Sequence, residues 1–155
     1  MGKIIFLCHE TDEAIEMKLR KHLSAYNYFE FHSNLTPTPG EDILNLKSVL
    51  SIAHIVIIIL SVDFMYDNFL AQLRKRAIIK YKQNEIELVQ ILTHHMLMEE
   101  VIISGVKTIP ESPLATHKDP DAAYIFVVQI IIDKIDIARL KKRIKDLEDI
   151  LKSKD

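Results

Sequence analysis

Ile55-Val56-Ile57-Ile58-Ile59-Leu60, followed at once by Ser61-Val62-Asp63-Phe64, is the stretch on which the fold turns. Six consecutive aliphatic side chains present apolar groups to both faces of an extended chain. A strand of that kind is stable only inside a sheet covered on both faces. Residues 3–8 and Glu87–Leu92 have the same character, and both read as companion strands. The run is also far shorter than the roughly 20 residues needed to cross a bilayer, so no membrane span is expected.

Working outward, the segments between these runs are amphipathic. Thr11-Asp12-Glu13 offers a cap and an acidic first turn, after which Ile15, Leu19 and Leu23 step by four along one helix face. Residues 28–31 alternate and suit an edge strand, and the prolines and glycine of 33–40 end it in a loop. Residues 41–53 and 64–82 read as the next helices, the second rich in strong helix formers. Ile109-Pro110-Glu111-Ser112-Pro113 breaks the chain and leaves room for one short strand near 106–109. Asp119-Pro120 then opens a final helix as cap and first residue.

Alternating strands and helices predict an α/β domain with a central parallel sheet of about five strands, flavodoxin-like in its three layers. A C-terminal helical extension follows. In that tail Ile130, Ile137, Leu140, Ile144, Leu147 and Leu151 fall mainly on three- and four-residue steps between charged residues. Such a seam either pairs with another chain or packs back on its own domain. The expected organisation is one domain over residues 3–135 and an amphipathic helix over 136–155.

Composition narrows the function. Of 155 residues, 48% are hydrophobic and 27% charged with only 3 Gly and 5 Pro, which is the balance of a chain with a real core. Twenty Lys and Arg face 22 Asp and Glu, and a net charge of -2 gives no field to hold a polyanion, so nucleic acid is not an expected partner. Cys8 is the single cysteine, and the first residues lack the long apolar region and cleavage site of a signal peptide. Both point to a cytoplasmic setting.

Ligands of open α/β sheets bind at the carboxyl ends of the strands. There the chain offers Cys8 and His9, Ser61 and Asp63, and His94 and His95. Cys8, His9, His94 and His95 lack the short fixed spacing of metal ligands, so polar residues solvating strand ends are the simpler account and no metal is expected. Asp12, Glu13 and Asp63 raise a phosphoryl-accepting receiver domain, but Asp63 opens a helix, where an Asp ordinarily caps, and no lysine ends a fifth strand. Ser61 with His94 lacks a nucleophile elbow. Arg74-Lys75-Arg76 reads as the solvated face of its helix.

In order and spacing the chain resembles the TIR domain (Toll/interleukin-1 receptor), especially its bacterial, effector-type branch. The residues that carry the likeness are Asp12-Glu13 after the first strand, Pro39-Gly40-Glu41, Ala53-His54-Ile55 leading into the aliphatic strand, and Ser61 with Asp63-Phe64 at its end. Thr116-His117-Lys118-Asp119 lies where the family often has Trp-x-Asn, without the Trp. The resemblance covers residues 3–135.

It implies a signalling or defence module of prokaryotic type that self-assembles, from a lineage that cleaves the nicotinamide–ribose bond of NAD⁺. NAD⁺ would then be substrate or ligand rather than a tightly bound cofactor, meeting Cys8, His9, Pro39, Gly40, Ser61 and Phe64. The family's catalytic glutamate stands in the helix after the aliphatic strand. Here the matching position is Gln72, or Leu73 if the segment is aligned one residue further on. Either removes the charge, and the chain as written is expected to be silent, whether Gln72 is natural or replaces a native Glu. The alternative is an active NAD⁺ glycohydrolase releasing nicotinamide, in which another acid such as Glu85 or Glu87 substitutes or in which the family glutamate pairs with a position other than 72. Self-association is expected through the Pro39-Gly40 loop and through the helix from Ile137 to Leu151, with a further TIR or sensor domain as a partner class.

Overall fold

In the computed structural model, β1 (Gly2–Leu7), β2 (Phe29–Ser33), β3 (Ile55–Leu60), β4 (Glu87–Leu92) and β5 (Thr108–Ile109) form one all-parallel sheet in the order β2-β1-β3-β4-β5. The structure describes residues 2–26, 29–35, 50–96, 103, 105–106, 108–109, 113–114 and 118–154. The sheet is flavodoxin-like, and β3 lies at its centre with every residue buried.

The side chains of β1 and β3 alternate between two covered faces. Ile5, Leu7, Val56, Ile58 and Leu60 pack with Phe64, Leu70, Leu73 and Ala77. These come from α2 (Val62–Tyr66) and α3 (Asn68–Lys82). Ile4, Phe6, Ile57 and Ile59 pack on the other side with Leu19 and Leu23 of α1 (Glu13–Ser24) and with Val127, Ile131 and Ile135 of α4 (Pro120–Ser153). An aliphatic run without alternation is thus accounted for by burial on both sides.

Four local expectations change. The helix read over 64–82 is two helices, because Asp67 leaves helical geometry and accepts a hydrogen bond from the Leu70 N–H, capping α3 afresh. Asp63 does not cap α2; Ser61 does, accepting from the Phe64 N–H at 3.1 Å. The edge strand lies two residues beyond 28–31, since His32 and Ser33 are buried polar residues that alternation of apolar groups does not reveal. The strand near 106–109 narrows to Thr108–Ile109. Of the helix read over 41–53, residues 50–52 are helical and 41–49 lie outside the described residues.

α4 runs unbroken through position 135. Its buried face includes Tyr124, Val128, Ile131, Ile135 and Ala138. It passes so near β1 that a Cβ at Gly2 would meet Ile135 Cδ1 at 2.7 Å, and a larger residue there would require the Ile135 side chain to shift. Beyond that face, Lys141 and Lys134 reach Glu87 at 2.8 and 3.5 Å, Lys145 reaches Glu85 at 3.7 Å, and Lys142 Nζ donates to the Ser51 carbonyl. The helix therefore rests on its own domain through a lysine face. No helix among the described residues is long and apolar enough to cross a membrane.

Candidate functional site at the carboxyl edge

The strand order reverses between β1 and β3, and the crevice outside their carboxyl ends is where this class of sheet binds ligands. Cys8 and His9 follow β1, and Ser61, Val62 and Asp63 follow β3. The Thr11 hydroxyl spans the crevice and donates to Asp63 Oδ2 at 3.2 Å, while His9 Nδ1 accepts from the Thr11 N–H and lies 2.9 Å from Thr11 Oγ1. His9, Thr11 and Asp63 thus form a polar line across the switch point, with Thr11 and Asp63 exposed. An imidazole, a hydroxyl and a carboxylate so placed can hold ligand hydroxyl or amide groups.

The remaining expected residues are engaged in building the edge. Cys8 is wholly buried, its N–H donates to Asn34 Oδ1, and Asn34 Nδ2 donates back to its carbonyl, both at 2.8 Å. Burial, and after it the nearby carboxylates of Glu16, Asp12 and Glu13, pushes the Cys8 thiol far above its ordinary range. Phe64 is fully buried in the core, and the Ser61 hydroxyl is used as a helix cap. Thr93 Oγ1 donates to the Leu60 carbonyl at 2.8 Å and lies 3.0 Å from His94 Nδ1, which leaves His94 and His95 exposed at the rim. Among the described residues no group of three or more His, Cys, Asp or Glu is placed to hold a metal ion. Pro39, Gly40, Glu41, Thr116 and His117 lie outside the described residues.

Beneath the crevice is a polar cluster that sequence reasoning missed. Glu16 is completely buried on α1, accepts from the Ser33 hydroxyl at 2.6 Å and faces Arg20 Nε at 3.5 Å. The Arg20 guanidinium lies over the rings of Phe6 and Phe31. Burial raises the Glu16 carboxyl above its ordinary value, against the opposing pull of Ser33 and Arg20. The available signal was its register: Glu16 shares the stripe of Leu19 and Leu23, where a charged residue must find partners.

Gln72 lies in the second turn of α3, on its exposed face, while Leu70, Leu73 and Ala77 turn inward. Leu73 is a core residue at 1% exposure. Glu87 opens β4 opposite Ile55, at the amino edge, and its carboxylate is held by Lys134 and Lys141. Glu85 precedes it and pairs with Lys80 at 3.3 Å. Neither acid is near the switch-point crevice. No family model and no curated protein matches the chain.

Two further features lie away from the crevice. Arg74, expected on a solvated face, turns inward and donates to Gln90 Oε1 at 3.0 Å, whereas Lys75 and Arg76 are exposed. A groove of about 1040 Å³ opens between α1, β2 and α4, with Met17, Arg20, Lys21, Tyr26, Phe31 and Ile125 in its walls. Its described lining holds no carboxylate, so the topology of the sheet, rather than the size of this groove, places the candidate site.

Proposed function

We propose that this chain is a TIR-like signalling or defence module that self-assembles, descended from NAD⁺ hydrolases and silent in cleavage as written. The observation that carries the reading is Gln72 at the position of the family glutamate. Cleaving the nicotinamide–ribose bond develops positive charge on the sugar, and a carboxylate placed there stabilises that charge while holding the ribose hydroxyls. Gln keeps the reach and loses the charge. The flavodoxin-like sheet and the polar line His9–Thr11–Asp63 at the switch point support the reading that a ligand is held at this edge.

His54 adds a point in favour. Its Nδ1 accepts from the Lys3 N–H at 2.9 Å at the entry to β3, so the residue of the Ala53-His54-Ile55 match ties the start of that strand to β1. The competing reading, an active NAD⁺ glycohydrolase, loses its nominated acids, because Glu85 and Glu87 stand at the far end of the sheet.

Assembly is assigned in part to the Pro39-Gly40 loop, as a head-to-tail contact that can propagate. Light scattering over a concentration series tests this. Gly40→Arg is expected to abolish the largest species, and growth unchanged by that substitution would remove the loop from the proposal. Nicotinamide release from NAD⁺ tests the silent site.

A further inference from the structure

The outer face of α4 carries an apolar seam that its own domain does not cover. Ile137, Leu140, Ile144, Leu147 and Leu151 are 48–66% exposed, while Ile131, Ile135 and Ala138, with the lysines that bind Glu85, Glu87 and Ser51, hold the opposite side of the helix against the sheet. With 3.6 residues per turn, the seam points directly away from the domain. Two copies brought together along it would keep their domains on the outside.

We infer that the occupant of this face is a second copy of the same chain, joined in a parallel two-stranded coiled coil. Three observations specify that partner. First, the spacing is a heptad in which Ile137 and Ile144 take the a positions and Leu140 and Leu147 the d positions. β-Branched a residues with Leu at d favour parallel dimers over higher oligomers. Second, the flanking charges complement a parallel copy. Arg143 at g faces the Glu148 at e of the other chain, and both are exposed and available. The other e position of the seam, Lys141, is held by Glu87 of its own domain, so the charge match rests on Arg143 and Glu148. An antiparallel pair centred on the same seam would instead set Arg143 against its own copy.

Third, the usual obstacle to a short coiled coil is absent. Two heptads are marginal for free peptides because the helix must form as it pairs. Here α4 is already a 34-residue helix clamped to its domain, so pairing orders little that is not already ordered. Asp133 occupies the preceding d position and is exposed, which ends the seam on its amino side. This inference does not depend on the reading of the NAD⁺ site.

The substitutions on the helix fall at exposed residues, so that folding is left intact. Sedimentation equilibrium of the full chain bearing Gly40→Arg, which removes the loop contact, should give a dimer. Arg143→Glu should weaken it about two- to tenfold in Kd at low salt, since two symmetric pairs become repulsive. Adding Glu148→Arg in the same chain should restore the affinity. For orientation, Leu147→Cys should give a covalent dimer under mild oxidation, because a parallel coil sets the two thiols face to face. Cys8 does not compete, being wholly buried. A monomer at every concentration would overturn the second-copy assignment and leave the seam to a different helix. A dimer in which Glu148→Arg fails to rescue Arg143→Glu, or Leu147→Cys fails to cross-link, would overturn the parallel arrangement.

Discussion

Lys141 Nζ lies 2.8 Å from Glu87 Oε1, an ion pair that ties α4 to the first residue of β4. Glu87 is 6% exposed and also faces Lys134, so its charge is buried but paired twice.

Glu87→Gln is therefore expected to lower stability by about 1–2 kcal/mol, less than a fully enclosed pair would lose, because both lysines keep contact with water. The midpoint of urea unfolding measures it. An unchanged midpoint would mean that the apolar face of α4 alone holds the helix in place.

The pair also shows where sequence reading stops. β3 was legible to the residue, because an aliphatic run with no polar face has one stable use in a sheet, and β4 was legible from Leu88, Val89, Ile91 and Leu92 despite Glu87 and Gln90. The capping pair Asp119-Pro120 likewise marked the start of α4. Glu87 was named as a substitute acid although it opens its strand, the end opposite the carboxyl edge where such sheets bind ligands. Glu16 was passed over because a charge beside Glu13 reads as helix surface, and its partner Ser33 lies 17 residues away. The break at Asp67 was hidden inside a stretch of strong helix formers, where one side-chain bond to the Leu70 N–H outweighs propensity.

His54 gives a pH dependence with a definite sign. Burial, then Lys142, Arg139 and Lys3, hold its imidazole below the ordinary value of 6.5, so the unfolded chain takes up the proton first as pH falls. The stability contributed by neutral His54 is present above about pH 6.5 and is lost below it, with a slope of at most about 1.4 kcal/mol per pH unit. His54→Asn keeps an acceptor for the Lys3 N–H and cannot titrate. Melting temperatures between pH 7.5 and pH 5, a span of about 2.5 units around that value, should fall less for the variant than for the unmodified chain. Parallel curves would show that the proton is taken up elsewhere.

Glu16 titrates in the opposite sense. Its carboxyl is raised above the ordinary 4.5, so its contribution is fully present below that pH and is lost as pH rises through the higher folded value. Comparing the unmodified chain with Glu16→Gln, the advantage of the glutamic acid should be greatest in acid and should shrink toward neutrality. An advantage that grows with pH would mean that Arg20 outweighs burial.

On the proposed reading, Gln72→Glu supplies the carboxylate of the family position, on an exposed helix face where the substitution costs the fold little. Nicotinamide release is expected on the order of 10²–10³ above that of the unmodified chain, the usual value of one charge partner in a transition state. An inert Gln72→Glu at high protein concentration would show that position 72 does not correspond to the family glutamate.

The most direct measurement is nicotinamide release from NAD⁺ by the purified, unmodified chain over a range of protein concentrations, beside a heat-treated control. The expected result is no release above the control, because on the proposed reading Gln72 supplies no negative charge to the sugar cation that develops as nicotinamide leaves. Steady release that scales with protein concentration would contradict the silent reading and place the catalytic acid elsewhere in the chain.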